Sequence, residues 1–199
     1  PDIAAIAKES SVPVAVNPGI SQLKGGASYL KEALKVGIDT IILNDDEAAQ
    51  LMASLIDKDQ KLANLIASAS ISSDKISKGG RSVNLIDEKI SFGELSFSLR
   101  QFMRQILDYG VKQVVVTLGS KGVCVATCEQ LYFHDTPKGI EVVNTLGAGD
   151  AFGSGFTRAW YTGEDIETAI SFGILNSCSV IAHADAKSGA LTKEELNKK

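Results

Sequence analysis

Histidine and cysteine are scarce in this chain, and their scarcity removes several chemistries at the outset. The 199 residues contain 2 histidines, His134 and His183, and 3 cysteines, Cys124, Cys128 and Cys178. None of them stands at a metal-ligand spacing, so a zinc site or a serine–histidine triad has no support. An odd number of cysteines without a pairing pattern reads as reduced thiols in a cytosolic setting. Apolar runs long enough to span a bilayer are missing, and so is the start of a secretion signal. The expectation is a soluble, cytoplasmic protein with no membrane partner. No block of lysine or arginine interrupts a formal net charge of −4. A nucleic-acid partner is disfavoured, because it asks for a basic face. A polyanionic ligand must instead be held by local N–H groups and a metal cation.

What is present is enough apolar material, 44% of the residues, for one substantial core. No interior linker divides the chain convincingly, and a single α/β domain over residues 1–199 is expected. Short β-branched runs alternate with segments of helical period. Strands are predicted near residues 12–16 and 40–43, and helices near 27–36 and 45–56. That alternation argues for a parallel sheet covered by helices. After a strand at Val114–Thr117, the runs at 123–126 and 131–133 follow too closely for crossover helices and are predicted to pair antiparallel at the edge. Helices after Gly147, over about 165–183 and from Lys193 complete the pattern. Between Asp57 and Phe97 the pattern weakens. A hairpin such as residues 82–90 is one reading there, Arg81 reads as an exposed loop side chain, and no role is assigned.

The most informative stretch is Val142–Phe156, VVNTLGAGDAFGSGF. A β-branched strand end runs into a glycine-rich turn, and Phe152, Phe156, Ala159 and Trp160 then recur at helical spacing. Gly147 and Gly149 let several N–H groups converge where the helix begins, which makes an anion site. Asp150 falls in the first turn, where an acidic residue is favoured by the helix dipole whether or not it catalyses anything. Beside a bound phosphate it would be placed to accept a proton from an attacking hydroxyl.

On these residues the chain resembles the ribokinase-like, or PfkB-type, carbohydrate kinases, whose late signature reads Asp-Thr-x-Gly-Ala-Gly-Asp. Thr145, Gly147, Ala148, Gly149 and Asp150 match it, and Asn144 replaces the first aspartate. Two further segments resemble the family in order and spacing. Asn44-x-x-Glu47 is similar to its Asn-x-x-Glu motif, although the same tetrapeptide is an ordinary helix capping box. Thr117-Leu-Gly119-x-x-Gly122 is similar to its nucleotide loop, although glycines are routine in a turn between strands. The small-residue helix around Phe172–Ile181 is similar to the family's late helix, with Asn176 as a nucleotide contact or as a packed residue.

The resemblance implies a three-layer α/β sandwich with a mostly parallel central sheet, covering the C-terminal two-thirds of the family's architecture and lacking its N-terminal part and lid. It implies ATP-dependent phosphotransfer to a hydroxymethyl group of a sugar or sugar-like substrate. Asp150 would be the catalytic base and Gly147, Ala148 and Gly149 the anion hole. Asn44, Thr117, Gly119, Gly122 and Asn176 would border the nucleotide, and Glu47 would serve Mg2+. The implied partner is a small-molecule sugar or nucleoside, and a homodimer is compatible with it. A nucleoside kinase and a catalytically silent nucleotide-binding module remain open alternatives. Because acceptor-positioning residues are missing, these residues alone are expected to phosphorylate poorly. Relatives carry aspartate beside a monovalent-cation site, and Asn144 implies weak or absent potassium activation.

Overall fold

The structure, a computed structural model, describes residues 2–25, 27–57, 87, 89–92 and 95–197. Contacts divide the chain into two compact units, residues 1–135 and 136–199, and each is described by itself.

The first unit runs α1 (Asp2–Glu9), β1 (Ala15–Val16), α2 (Ile20–Gly25), α3 (Ala27–Val36), β2 (Thr40–Asn44), α4 (Asp45–Asp57), β3 (Lys89–Phe92), β4 (Leu95–Ser98), α5 (Leu99–Leu107), β5 (Gln113–Thr117), β6 (Val123–Ala126) and β7 (Leu131–His134). Five strands form one sheet in the order β1-β2-β5-β6-β7, while β3 and β4 make a separate antiparallel hairpin. β1, β2 and β5 are parallel, and β6 and β7 add antiparallel, so four of the five point the same way. Chain length between strands explains the switch. Helices return the chain between the parallel strands, whereas the links from β5 to β6 and from β6 to β7 are too short for a crossover.

Ile41, Leu43, Val114, Val116, Cys124 and Phe133 join the core cluster with residues of α4 and α5. Their strand neighbours Ile42, Val115, Val123 and Val125 point to the opposite face and are equally buried. A sheet buried on both faces is the middle layer of a three-layer α/β arrangement. Its entry edge is fixed by polar contacts: Thr40 Oγ1 donates to Gln113 Oε1 at 2.7 Å between registered partners. Asp39 accepts from Val14 N at 2.9 Å and pairs with Lys112 Nζ at 2.6 Å.

The predicted strands and helices at 27–36, 40–43, 45–56, 114–117, 123–126 and 131–133 are present within a residue or two. The strand at 12–16 is reduced to Ala15–Val16. Two elements escaped the pattern reading: α5, with Leu99, Phe102, Met103 and Ile106 buried along one face and a Ser98–Gln101 capping box, and the hairpin at 89–98. The hairpin suggested at 82–90 and Arg81 fall mainly outside the described residues.

The second unit contains α6 (Ala148–Tyr161), α7 (Ile166–Ile181) and the short α8 (Lys193–Leu196). α6 and α7 approach through glycine. A Cβ added at Gly155 would lie 2.7 Å from Phe172 O, and one at Gly173 would lie 2.7 Å from the Phe152 ring. Phe152 stacks on Phe156 with ring centroids 5.9 Å apart, and both are buried.

Candidate functional site

In the first unit, the residues singled out by sequence gather at the carboxyl ends of β2 and β5, where open parallel sheets hold their ligands. Asn44 and Thr117 are register partners, and Thr117 Oγ1 donates to Leu43 O at 3.4 Å. The Asn44–Glu47 tetrapeptide folds as a reciprocal capping box. Glu47 N donates to Asn44 Oδ1 at 2.8 Å, and Asn44 N donates to Glu47 Oε2 at 2.9 Å. Gly119 opens a single 3-10 turn, and Gly122 follows it before β6. Gly122 has φ 120, and a Cβ there would come within 2.1 Å of His134 O, so no other residue fits without moving β7. Gly119 has φ 57 but open space around it.

In the second unit, the segment before the glycine turn is not the strand that its β-branched residues suggest. Val142 and Val143 are 57% and 53% exposed, and the N–H groups of Val143 and Asn144 bond to Ile181 O rather than to a strand. Gly147 is the N-cap of α6, in the left-handed region at φ 82, and no side chain caps the helix. Helices α4, α5, α7 and α8, by contrast, are capped by Asn44, Ser98, Asp165 and Thr192. The first N–H groups of α6 have no partner four residues back within the helix, and the dipole makes that end attractive to an anion. A Cβ at Gly149 would meet nothing within 4 Å, and Asp150 is an exposed residue of the first turn.

A loop over residues 182–190 lies against this turn. A Cβ at Gly147 would sit 2.8 Å from Ala186 Cβ and 2.9 Å from Ala186 O. Asp185 organises the loop by accepting from Ser188 Oγ at 2.6 Å, Ser188 N at 2.8 Å and Lys187 N at 2.9 Å. The Ser188 side chain, then these backbone N–H groups, pull its carboxyl down to about 2. Asn144 joins the loop to the turn: its Nδ2 donates to Ala184 O at 2.9 Å and its Oδ1 accepts from Leu146 N at 2.9 Å. Nothing in the local pattern of Ala184 and Ala186 pointed to this contact.

Asn176 is only 5% exposed. Its amide bonds Ala151 O, Ser154 Oγ and Leu191 N, which is a packed role rather than one facing a ligand. Of the cysteines, buried Cys124 contacts Met103 Sδ at 3.6 Å, and desolvation raises its thiol far above the usual range.

Among the described residues, no group of three or more His, Cys, Asp and Glu side chains could hold a metal ion. Magnesium does not need such a cage. It keeps most of its waters and is held by one or two carboxylates plus substrate phosphates, a demand that Glu47 can meet. A monovalent cation fits less well, because the Asn144 amide already supplies a donor to Ala184 O.

The family profile described as pfkB family carbohydrate kinase matches residues 83–193. Fructoselysine 6-kinase of Escherichia coli is 33% identical over 89 residues, which are 45% of this chain and 34% of that protein. Ribokinase from Thermotoga maritima has a similar fold, with TM-score 0.67 at 20% identity, covering 98% of this chain and 51% of that one. Arabidopsis thaliana ribokinase complexed with ribose and ATP gives TM-score 0.68 at 22% identity over 98% of this chain and 50% of that one. The chain thus spans about half the length of these ribokinase structures and a third of the curated relative.

Proposed function

The chain belongs to the pfkB family of carbohydrate kinases, and from that premise we propose that it carries the phosphoryl-transfer machinery of an ATP-dependent sugar kinase. The observation that supports this most is the N-terminus of α6: left-handed Gly147 in place of a capping side chain, open space at Gly149, and Asp150 exposed in the first turn.

In this reading the N–H groups of Gly147 and Gly149 bind the oxygens of the transferring phosphoryl group, joined by that of Ala148, which exchanges its 3.2 Å bond to Thr145 O for the phosphate. Asp150 accepts the proton of an acceptor hydroxymethyl as its oxygen forms a bond to the γ-phosphorus, and the bond to the β,γ-bridging oxygen breaks to release ADP. Such transfer needs positioning and charge stabilisation more than covalent help, and fixed backbone N–H groups supply both without reorganising. Asn44, Thr117, Gly119 and Gly122 are assigned to ATP and Glu47 to the hydration shell of Mg2+, which when bound neutralises phosphate charge. The acceptor is a sugar or sugar-like molecule.

The test is an ADP-release assay on the native gene product across hydroxymethyl sugars and nucleosides, with Asp150→Asn alongside. A base role predicts turnover lowered by a factor on the order of 10²–10⁴ with nucleotide affinity nearly intact. Equal loss of rate and affinity makes Asp150 structural. Release with nucleosides alone moves the acceptor class, and failure of every acceptor to release ADP favours a silent nucleotide-binding module.

A further inference from the structure

The kinase reading has Asp150 and the glycine turn act on the phosphoryl group but does not say what holds them in register. The α6 N-terminus is flanked by its own first turn, which carries Asp150, and by the 182–190 loop, whose Ala186 lies against Gly147. One side chain touches both neighbourhoods. Asn176 Nδ2 donates to Ala151 O at 2.7 Å, one residue beyond Asp150, and lies 3.2 Å from Ser154 Oγ. Ser154 Oγ donates to the same Ala151 carbonyl at 3.0 Å. At the other end of the amide, Asn176 Oδ1 accepts from Leu191 N at 2.8 Å, directly after the loop.

We propose that Asn176 is a positioning residue for the Gly147–Asp150 turn, tying the first turn of α6 to Leu191, directly after the 182–190 loop, through the two ends of one buried amide. The chemistry is specific to an amide. Both partners need opposite polarity, a carbonyl on one side and an N–H on the other, and only a group with a donor and an acceptor on one carbon satisfies both. Aspartate of the same shape would set a carboxylate oxygen against Ala151 O at about the distance of the present bond, in a site with little water to screen the repulsion. The backbone is held closely enough to transmit such a change, because Gly155 lets Asn176 Cβ approach within 3.2 Å of where its own Cβ would be.

This inference rests on the kinase reading for its functional meaning, so the experiment has one readout that is independent of it. Asn176→Asp is compared with Ile170→Ala and Ile170→Val, which disturb a fully buried position on the same helix outside the hydrogen-bonded link. The control with the nearer melting temperature is used. Backbone amide exchange is followed at Ala148, bonded to Thr145 O, and at Ala151, bonded to Gly147 O. ATP affinity is measured by calorimetry.

Asn176→Asp is expected to speed exchange at these two amides about tenfold beyond the control, and to weaken ATP about tenfold more than the control does. If the variant does not fold, Asn176→Ser, which keeps a donor but cannot span to Leu191, carries the same comparison. Exchange and affinity no worse than in the matched control overturn the proposal. Absence of ATP binding in the unaltered chain counts against the kinase reading, and the exchange data alone then decide whether Asn176 positions the turn.

Discussion

Asn44 and Thr117, 73 positions apart in sequence, are the last registered pair of the adjacent parallel strands β2 and β5. Asn44 also closes the capping box of α4 with Glu47, so one residue serves the helix and stands at the strand ends. Asn44→Ala is expected to cost about 1 kcal/mol in urea denaturation, and Asn44→Asp, an equally good N-cap, to leave stability nearly unchanged. A nucleotide role adds a second expectation: both variants weaken ATP binding, read by calorimetry. Intact affinity in both would reduce Asn44 to a cap.

The two glycines of the loop after β5 should respond differently to alanine. At Gly122 a Cβ would collide with the His134 carbonyl, whereas at Gly119 it would enter open space, although both have positive φ. Gly119→Ala is expected to cost about 1 kcal/mol, the left-handed penalty alone. Gly122→Ala should cost at least twice that, on the order of 3 kcal/mol, because β7 must move. Chemical denaturation of the two variants distinguishes clash from backbone strain.

Potassium should have little effect on this chain. The Asn144 amide already bridges Leu146 N and Ala184 O, leaving that carbonyl with a donor where a relative with aspartate would present a carboxylate. Asn144→Asp replaces the donor with an oxygen facing Ala184 O, a pair that a monovalent cation can bridge. Melting temperature is expected to be the same for the unaltered chain in potassium and tetramethylammonium chloride. In Asn144→Asp it should be lower and partly restored by potassium. A potassium-specific rise in the unaltered chain would refute this.

Acid should loosen the 185–188 loop in a defined window. The Asp185 carboxyl is pulled from its ordinary value of 3.8 down to about 2 by hydrogen bonds from Ser188 and Lys187. A depressed carboxylate stabilises the folded state above its unfolded value, and that contribution is lost as the pH falls from about 4 through about 2. Protection of the Ser188 amide, its exchange rate taken relative to the intrinsic rate at each pH, should fall across that window in the unaltered chain. Asp185→Asn should exchange faster at neutral pH and show no such step.

Much of the first unit was legible because its signals are local. Thr40–Leu43 and Val114–Thr117 are β-branched runs ending at polar or glycine residues, and Asp45–Glu47 mark a helix start by charge. Helix α5 was equally patterned, with Leu99, Phe102, Met103 and Ile106 at helical spacing, but it follows a stretch whose weak pattern gave no anchor for its beginning. Val142 and Val143 misled because β-branching signals a strand only where a neighbouring strand is available. Their N–H partner is instead Ile181 O, at the far end of α7. For Asn176 the motif left a nucleotide contact and a packed residue both open, and its partners from α6 and from Leu191 are contacts between distant segments that no local pattern encodes.

The central claim is that the glycine turn at the head of α6 receives the terminal phosphate of ATP beside Asp150. Its most direct test is a titration of this chain with ATP and, separately, with AMP, following the backbone amide resonances of Gly149 and Asp150. The account predicts that ATP shifts both resonances saturably while AMP, which lacks the β- and γ-phosphates, leaves them nearly unmoved. Resonances that stay fixed while ATP binds elsewhere, or that move equally with AMP, would contradict it.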